Sequence, residues 1–339
     1  MEAVLTPMNA LAMVVSDSSH VSSARLALQR LARDLEFDET RAGRVAIVAT
    51  EAVSNMIRHG GGGTLAARPL VRDGALGIEM LAIDTGRGMR DFAGSAVDGV
   101  STGGTPGTGL GAIRRLTDEF EVRTGDGRGT VMRMVLWNRV PGDDPSAYEV
   151  GAVLVPKEGE SACGDAWAME PHVDGVTFVV SDGLGHGIEA SRASALAVEA
   201  LRSHPEYSAI RMLDLAHGRL RHTRGAALGV IRHERSRGEV VFAGVGNISV
   251  TVIEGETRRA MVSHNGIVGH NMARSEEYRY PWPRGSLLVA HSDGLESRWD
   301  LAAFPGIVSH HASIIAATLY ASHTRKRDDV VVMVARETR

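Results

Sequence analysis

The sequence predicts a mixed α/β protein of the α+β kind, built as two domains. Three observations carry this. The chain has 339 residues, about two average domains by length. Apolar residues recur at helical spacing in some segments, and short β-branched runs occupy others. One stretch, RVPGDDPS at residues 139–146, gathers two prolines, a glycine and two aspartates, the punctuation of a linker. The expected division is a domain of residues 1–139, a linker of 140–147 and a domain of 148–339. Each part is large enough for its own core.

In the first domain, residues 11–15 read as a strand. Ser19 is placed to cap a helix running through Ala24, Leu28, Leu31 and Leu35, and Asp38 to cap a second that runs to about His59. Residues 76–84 and 129–137 read as strands, and 110–116 as a helix entered from a glycine-rich loop. The second domain is richer in strands, at 148–155, 175–182, 226–233, 239–243, 248–253, 286–291 and 330–335. Helices are expected near 189–203, 209–221 and 310–322, so that helices cover sheets.

Composition excludes several classes. Apolar residues at 43% and charged residues at 23% are the ordinary globular mix, so a disordered chain, a collagen and a coiled-coil rod are ruled out. A net charge of -4 gives no reason to expect nucleic acid or an anionic membrane as partner. The lone Cys163 makes no internal disulfide, which suits a reducing compartment. No apolar run approaches the roughly 18 residues that span a bilayer, and the N-terminus lacks the basic start of a signal peptide. A cytoplasmic location is expected.

Two sets of residues carry chemistry. On the second helix, Glu51 and Asn55 are four apart and stack on one side, at the margin of the apolar face. A strand ends in AIDTGRGM, with Asp84, Gly86 and Gly88. Further on, GGTPGTGLG opens a helix, and a glycine-rich loop at a helix N-terminus suits an anion. Walker A and Rossmann readings both fail, because no G-K-[ST] is present and the glycine loop is not the first strand-to-helix turn. In the second domain, Asp165, Asp182, Asp293 and the pair Asp328–Asp329 sit at strand ends, three of these acids beside a glycine. Taken singly, each reads as a turn. Together they suggest oxygen ligation of Mg²⁺ or Mn²⁺, not zinc.

The segments "SSHVSSAR", "ATEAVSNMIRHGGGGT", "IDTGRGM", "GTGLGAIRRLTDEFEV" and "GRGTVMRM" together resemble the GHKL (Bergerat) ATPase family, in its small serine/threonine switch-kinase branch of the RsbT/RsbW type. The resemblance implies a two-layer α/β sandwich that takes ATP and Mg²⁺. It makes Glu51 the acid that accepts the proton of an attacking hydroxyl and Asn55 the Mg²⁺ ligand. It makes Asp84 the adenine acceptor, with Gly86 and Gly88 giving backbone clearance. Gly107, Gly109 and Gly111 correspond to the phosphate lid, and Thr130 to a nucleotide contact.

The segments "CGDAWAM", "FVVSDGLGHGIEAS", "FAGVGNISV", "HNGIVGH", "LLVAHSDGLES" and "RDDVVVMVA" resemble the metal-dependent (PPM) protein phosphatases of the SpoIIE/RsbX type. This implies a four-layer α-β-β-α sandwich holding two ions, Mn²⁺ or Mg²⁺. Asp182 would bridge them and the Gly183 carbonyl would bind one. Asp293 and Asp328 would complete the first ion, and Asp165 would serve the second. No arginine of the sequence is assigned to the phosphate. His186 stays outside the catalytic set, with a cap on the following helix as an equal reading of it. The basic strip Arg325-Lys326-Arg327 reads as a solvated loop or a steering patch.

The pairing implies opposed activities in one chain of a stressosome-like pathway. The first domain would phosphorylate a STAS-domain partner and the second would remove such phosphates. The alternative is a phosphatase whose GHKL domain only binds nucleotide and partner.

Overall fold

The computed structural model describes residues 10–89, 109–125, 127–142, 146–272 and 276–338. Two compact units divide between Pro145 and Ser146. Both mix helices with antiparallel sheet: among the described residues the first packs helices on one five-stranded sheet, and the second has two five-stranded sheets with helices against them.

In the first unit the strands are β1 (Leu11–Val15), β2 (Gly63–Arg72), β3 (Ala75–Asp84), β4 (Glu119–Thr124) and β5 (Thr130–Trp137), in the order β1-β2-β3-β5-β4. Helices α1 (Ser19–Asp34), α2 (Glu39–Asn55) and α3 (Gly109–Leu116) share one core with the sheet. Leu28, Val48, Val53 and Ile113 from the helices pack with Leu65, Met80 and Met134 from the strands. Asp38 caps α2 as expected, its Oδ1 accepting from Arg41 N at 2.7 Å. Ser19 does not cap α1. It is the first helical residue, and Asp17 Oδ1 accepts its backbone N–H at 2.9 Å.

The strands β2 and β4 were not foreseen. Their apolar pattern is broken by charges that are satisfied only across strands. Glu79 on β3 is buried and accepts from Arg68 Nε of β2 and Arg133 Nε of β5, each at 2.6 Å. Arg133 Nη1 also reaches Glu119 Oε2 of β4 at 3.0 Å, and Arg72 Nη1 reaches Glu119 Oε1 at 2.9 Å.

In the second unit, one sheet has the order β13-β10-β9-β8-β7. Its strands are β7 (Asp165–His172), β8 (Gly175–Gly183), β9 (Ala226–Glu234), β10 (Glu239–Val245) and β13 (Tyr278–Pro281). The other has the order β12-β11-β14-β15-β6, from β6 (Tyr148–Val155), β11 (Ser249–Glu254), β12 (Thr257–Ala260), β14 (Leu287–His291) and β15 (Val330–Glu337). Helices α4 (Ile188–Ser203) and α5 (Ala209–Leu220) pack on the first sheet, and α6 (Ala312–His323) on the second. Helix α6 is buried from Ala312 to Tyr320, as its all-round apolar sequence requires. It lies so close to β6 that a Cβ on Gly151 would come 2.0 Å from Ser313 N. Strand β7 begins at Asp165 as expected, whereas β12 and β13, each four residues long and carrying charge, lie outside the expected strands.

Between the sheets, Tyr148, Phe178, His233 and Trp282 form a ring cluster. His233 is fully buried, and its Nδ1 shares a hydrogen bond of 2.7 Å with the Tyr148 hydroxyl. Burial, with the Arg235 charge adding to it, pushes its pKa down to about 4. The unfolded chain therefore takes up this proton first as pH falls. Stability present above about pH 6.5 is expected to drop by about 3 kcal/mol as pH falls toward 4. Urea unfolding of the second unit at pH 7 and pH 4.5, in wild type and His233→Phe, checks this. The variant should show the shallower loss, and equal slopes refute it.

Candidate functional site

The first site forms where α2 ends, β3 ends and α3 begins. Glu51 and Asn55 are half-buried, one turn apart on α2. Gly109, the first residue of α3, lies over both: a Cβ there would come 2.7 Å from Glu51 Oε2 and 3.5 Å from Asn55 Oδ1. Asn55 Nδ2 is buried with no partner among the described residues. An orphaned buried amide costs roughly 1–3 kcal/mol, so the position suits a ligand. Gly111 is buried within α3. Gly107 lies outside the described residues.

Directly after Asn55 the helix widens into a π turn, Met56–Gly60, the irregularity often found at functional sites. It brings Gly60 against Asp84, where a Cβ would come 2.6 Å from Asp84 Cβ. Asp84 is buried, and its Oδ1 accepts from Gly86 N at 2.9 Å and Thr130 N at 3.2 Å. Burial raises its pKa above the usual carboxylate range, against these two N–H groups. Gly86 abuts Gly60, and Gly88 has φ +70° with a Cβ position only 2.0 Å from Gly125 O, so neither tolerates a side chain. Thr130 is buried and shares a 3.1 Å hydrogen bond with Thr124 Oγ1.

The second site lies at one end of the two facing sheets of the second unit. Asp165 opens β7 and is the register partner of Asp182 near the end of β8. Asp293 follows β14, and Asp328–Asp329 precede β15. Asp165 is buried: Oδ2 accepts from Ser292 Oγ at 2.5 Å, and Oδ1 has no partner among the described residues. Its pKa is driven well up by burial and by the charges of Asp182, Asp329 and Asp328. Burial raises Asp182 to about 7, with Asp293 and Asp328 adding to the push.

The aspartates therefore share one electrostatic centre. Among the described residues, however, no three His, Cys, Asp or Glu side chains converge closely enough to cage an ion as they stand. A buried carboxylate oxygen without a partner among the described residues, Asp165 Oδ1, and an all-oxygen donor set fit a hard divalent cation. Gly183 is buried between Gly164 and α4, where a Cβ would come 2.2 Å from Ala190 O, so only glycine lets the loop pass.

Two side chains here, Asn247 and Ser292, escaped the sequence reading, and Asp329 was read only as the neighbour of Asp328. Asn247, in the turn between β10 and β11, donates to Asp293 Oδ2 at 2.7 Å and hydrogen-bonds Asp182 as well. Ser292 orients Asp165 while accepting from Val331 N at 3.1 Å. Asp329 is buried, its Oδ1 taking Lys157 N at 2.8 Å. A Gly-Asn turn and a serine beside an aspartate carry no signal beyond a turn. The cap reading of His186 is corrected: its Nδ1 meets Glu160 Oε1 at 2.5 Å, and the N-cap of α4 is Gly187, without a side-chain bond.

Comparison with known proteins follows this division. The family described as "Histidine kinase-like ATPase domain" matches residues 14–136, and "Stage II sporulation protein E (SpoIIE)" matches residues 172–337. The chain joins a histidine kinase-like ATPase domain to a SpoIIE domain. The ATPase domain is similar to the serine/threonine-protein kinase RsbT of Bacillus subtilis (strain 168), with 29% identity over 119 residues, 35% of this chain and 90% of RsbT. The SpoIIE domain is similar to the phosphoserine phosphatase RsbX of the same organism, with 23% identity over 188 residues, 52% of this chain and 89% of RsbX. A solved structure described as "The bacterial stressosome: a modular system that has been adapted to control secondary messenger signaling" is 32% identical, with TM-score 0.53. The match covers 56% of this chain and 100% of that one. Among the described residues, no helix is long and apolar enough to cross a membrane.

Proposed function

We propose that this chain is a bifunctional partner-switching regulator. Its ATPase domain, residues 1–139, transfers phosphate from ATP to serine or threonine of a STAS-domain partner. Its SpoIIE domain, residues 148–339, hydrolyses phosphoserine or phosphothreonine. The observation that supports it most is the shared field of Asp165, Asp182, Asp293 and Asp328 at one end of two sheets, with a buried carboxylate oxygen open.

In the SpoIIE domain, Asp182, the Gly183 carbonyl, Asp293 and Asp328 would hold one Mn²⁺ or Mg²⁺, and Asp165 would serve a second that Asp182 shares. Such ions lower the pKa of a water and balance the charge of phosphoryl oxygens. Hydrolysis would form a P–O bond from water and break the P–O bond to the side chain, the serine or threonine oxygen leaving with a proton that the water gives up. Asn247 and Ser292 hold the acids in register for this.

In the ATPase domain, Glu51 would take the proton of the attacking hydroxyl and Asn55 would hold Mg²⁺ on the phosphates of ATP. Asp84 would accept from the adenine amino group, and Gly86 and Gly88 would leave it room. Gly107, Gly109, Gly111 and Thr130 would close on the nucleotide. Phosphoryl transfer is chiefly positioning and charge neutralisation, which these groups can supply. Incubation with labelled ATP, Mg²⁺ and the STAS partner should label the partner. Glu51→Ala should slow this by about 10²–10⁴-fold, the usual worth of a general base. ATP bound but never transferred by wild type, with partner present, returns the domain to a binding module.

A further inference from the structure

We propose that Arg224 binds the phosphoryl group of the substrate in the SpoIIE domain, an inference that rests on the phosphatase reading above. Sequence reasoning assigned no arginine to this task. Arg224 has no motif around it and sits in a turn, far along the chain from any of the aspartates.

The sheet brings it to them. Strand β9 pairs with β8 so that Asp182 faces Ala227 and Gly183 faces Ala226. Arg224, two residues before β9, therefore emerges at the same sheet end as Asp182. The zipper continues one step beyond the strands, with Leu184 N donating to Gly225 O at 3.0 Å. The guanidinium then lies over the loop that leaves Asp182: Nη1 is 3.0 Å from where a Cβ on Gly185 would stand. Gly185 is two residues past Gly183, at most about 7 Å along the chain. Its φ of +90° and its missing side chain leave the guanidinium that seat.

The anchor is rigid and the head group is available. Thr223 O accepts from His270 Nε2 at 3.0 Å. Thr223 Oγ1 donates to Leu220 O at 2.7 Å and accepts from Gly225 N at 3.0 Å. The backbone is thus pinned on both sides of Arg224. The side chain is exposed, and among the described residues its guanidinium has neither an ion pair nor a hydrogen bond. An unpaired guanidinium on a fixed stem, at the sheet end where Asp182 lies, has paired N–H donors that match two oxygens of a phosphate dianion. The aspartates take cations; the phosphate needs a donor of its own, and holding that donor in place beforehand reduces the cost of ordering it.

Isothermal titration of inorganic phosphate into the Mn²⁺-loaded chain tests this, alongside Mn²⁺ titration and turnover of a phosphoprotein. Arg224→Ala should weaken phosphate on the order of tenfold to a hundredfold, the worth of a charge-assisted pair. KM should rise in proportion while Mn²⁺ affinity and thermal unfolding stay as in wild type. Arg224→Lys should recover part of the affinity, having the charge without the fork. Equal phosphate affinity in wild type and Arg224→Ala overturns the assignment. So does a loss confined to the variant with Arg325, Lys326 and Arg327 all changed to alanine, which would move the anion site to that strip. A wild type that binds phosphate through Arg224 but turns over no phosphoprotein sinks the phosphatase reading and leaves the anion site standing.

Discussion

Asp182→Asn should abolish metal-dependent phosphate release while making the metal-free SpoIIE domain more stable. The loss of rate is expected on the order of a thousandfold, about 4 kcal/mol of barrier, because the residue proposed to be shared by both ions disappears. The gain in stability has a separate cause. Asp182 is held among Asp293, Asp328 and Asp329, and burial with these charges raises it to about 7. An amide of the same shape carries no charge and donates a hydrogen to a neighbouring carboxylate. Each kcal/mol of relief raises the melting temperature of a domain this size by about 2–4 °C. Function and stability thus pull in opposite directions at one residue, as at sites that keep like charges together. Differential scanning calorimetry with and without Mn²⁺ reads both effects. Wild type should gain from the ion and the variant should not. A variant that melts below metal-free wild type would show that Asp182 holds the fold together, and would remove the repulsion argument.

Glu79→Ala should unfold the ATPase domain far more readily, by about 3–5 kcal/mol, the usual cost of breaking one side of a buried ion pair. Glu79 is fully buried and is the shared acceptor of Arg68 and Arg133, at 2.6 Å each. Truncation strips both guanidinia of that acceptor in a place where water cannot replace it. Arg133 keeps Glu119, so the damage is not total. The contrast is Glu119→Ala, whose carboxylate is 29% exposed and should cost about 1 kcal/mol. Urea unfolding followed by a probe in the first unit separates the two. Similar losses for both variants would mean that burial does not decide the value of the network.

The same network explains what the sequence concealed. Strand β2, GTLAARPLVR, holds an arginine and a proline in a central position, which argues against a strand. Its arginine is answered by Glu79 on the next strand. Its proline lies beyond Ala67, the last β2 residue paired with β1 among the described residues. Neither fact is local. Strand β4 is likewise legible only beside Arg133 and Arg72. By contrast, strand 11–15 and the Asp38 cap appear where the pattern put them, since periodicity and capping act within a few residues.

By itself the chain determined the two families, because glycines and acids occur in an order that unrelated sequences do not repeat, and it determined the core strands and helices through apolar spacing. Only the tertiary structure decided which turns meet at the strand ends. It brought Asn247 onto Asp182 and Asp293, Ser292 onto Asp165, and Arg224 over Gly185. Strand register sets such meetings, and register is a property of pairs of segments, invisible in either one alone.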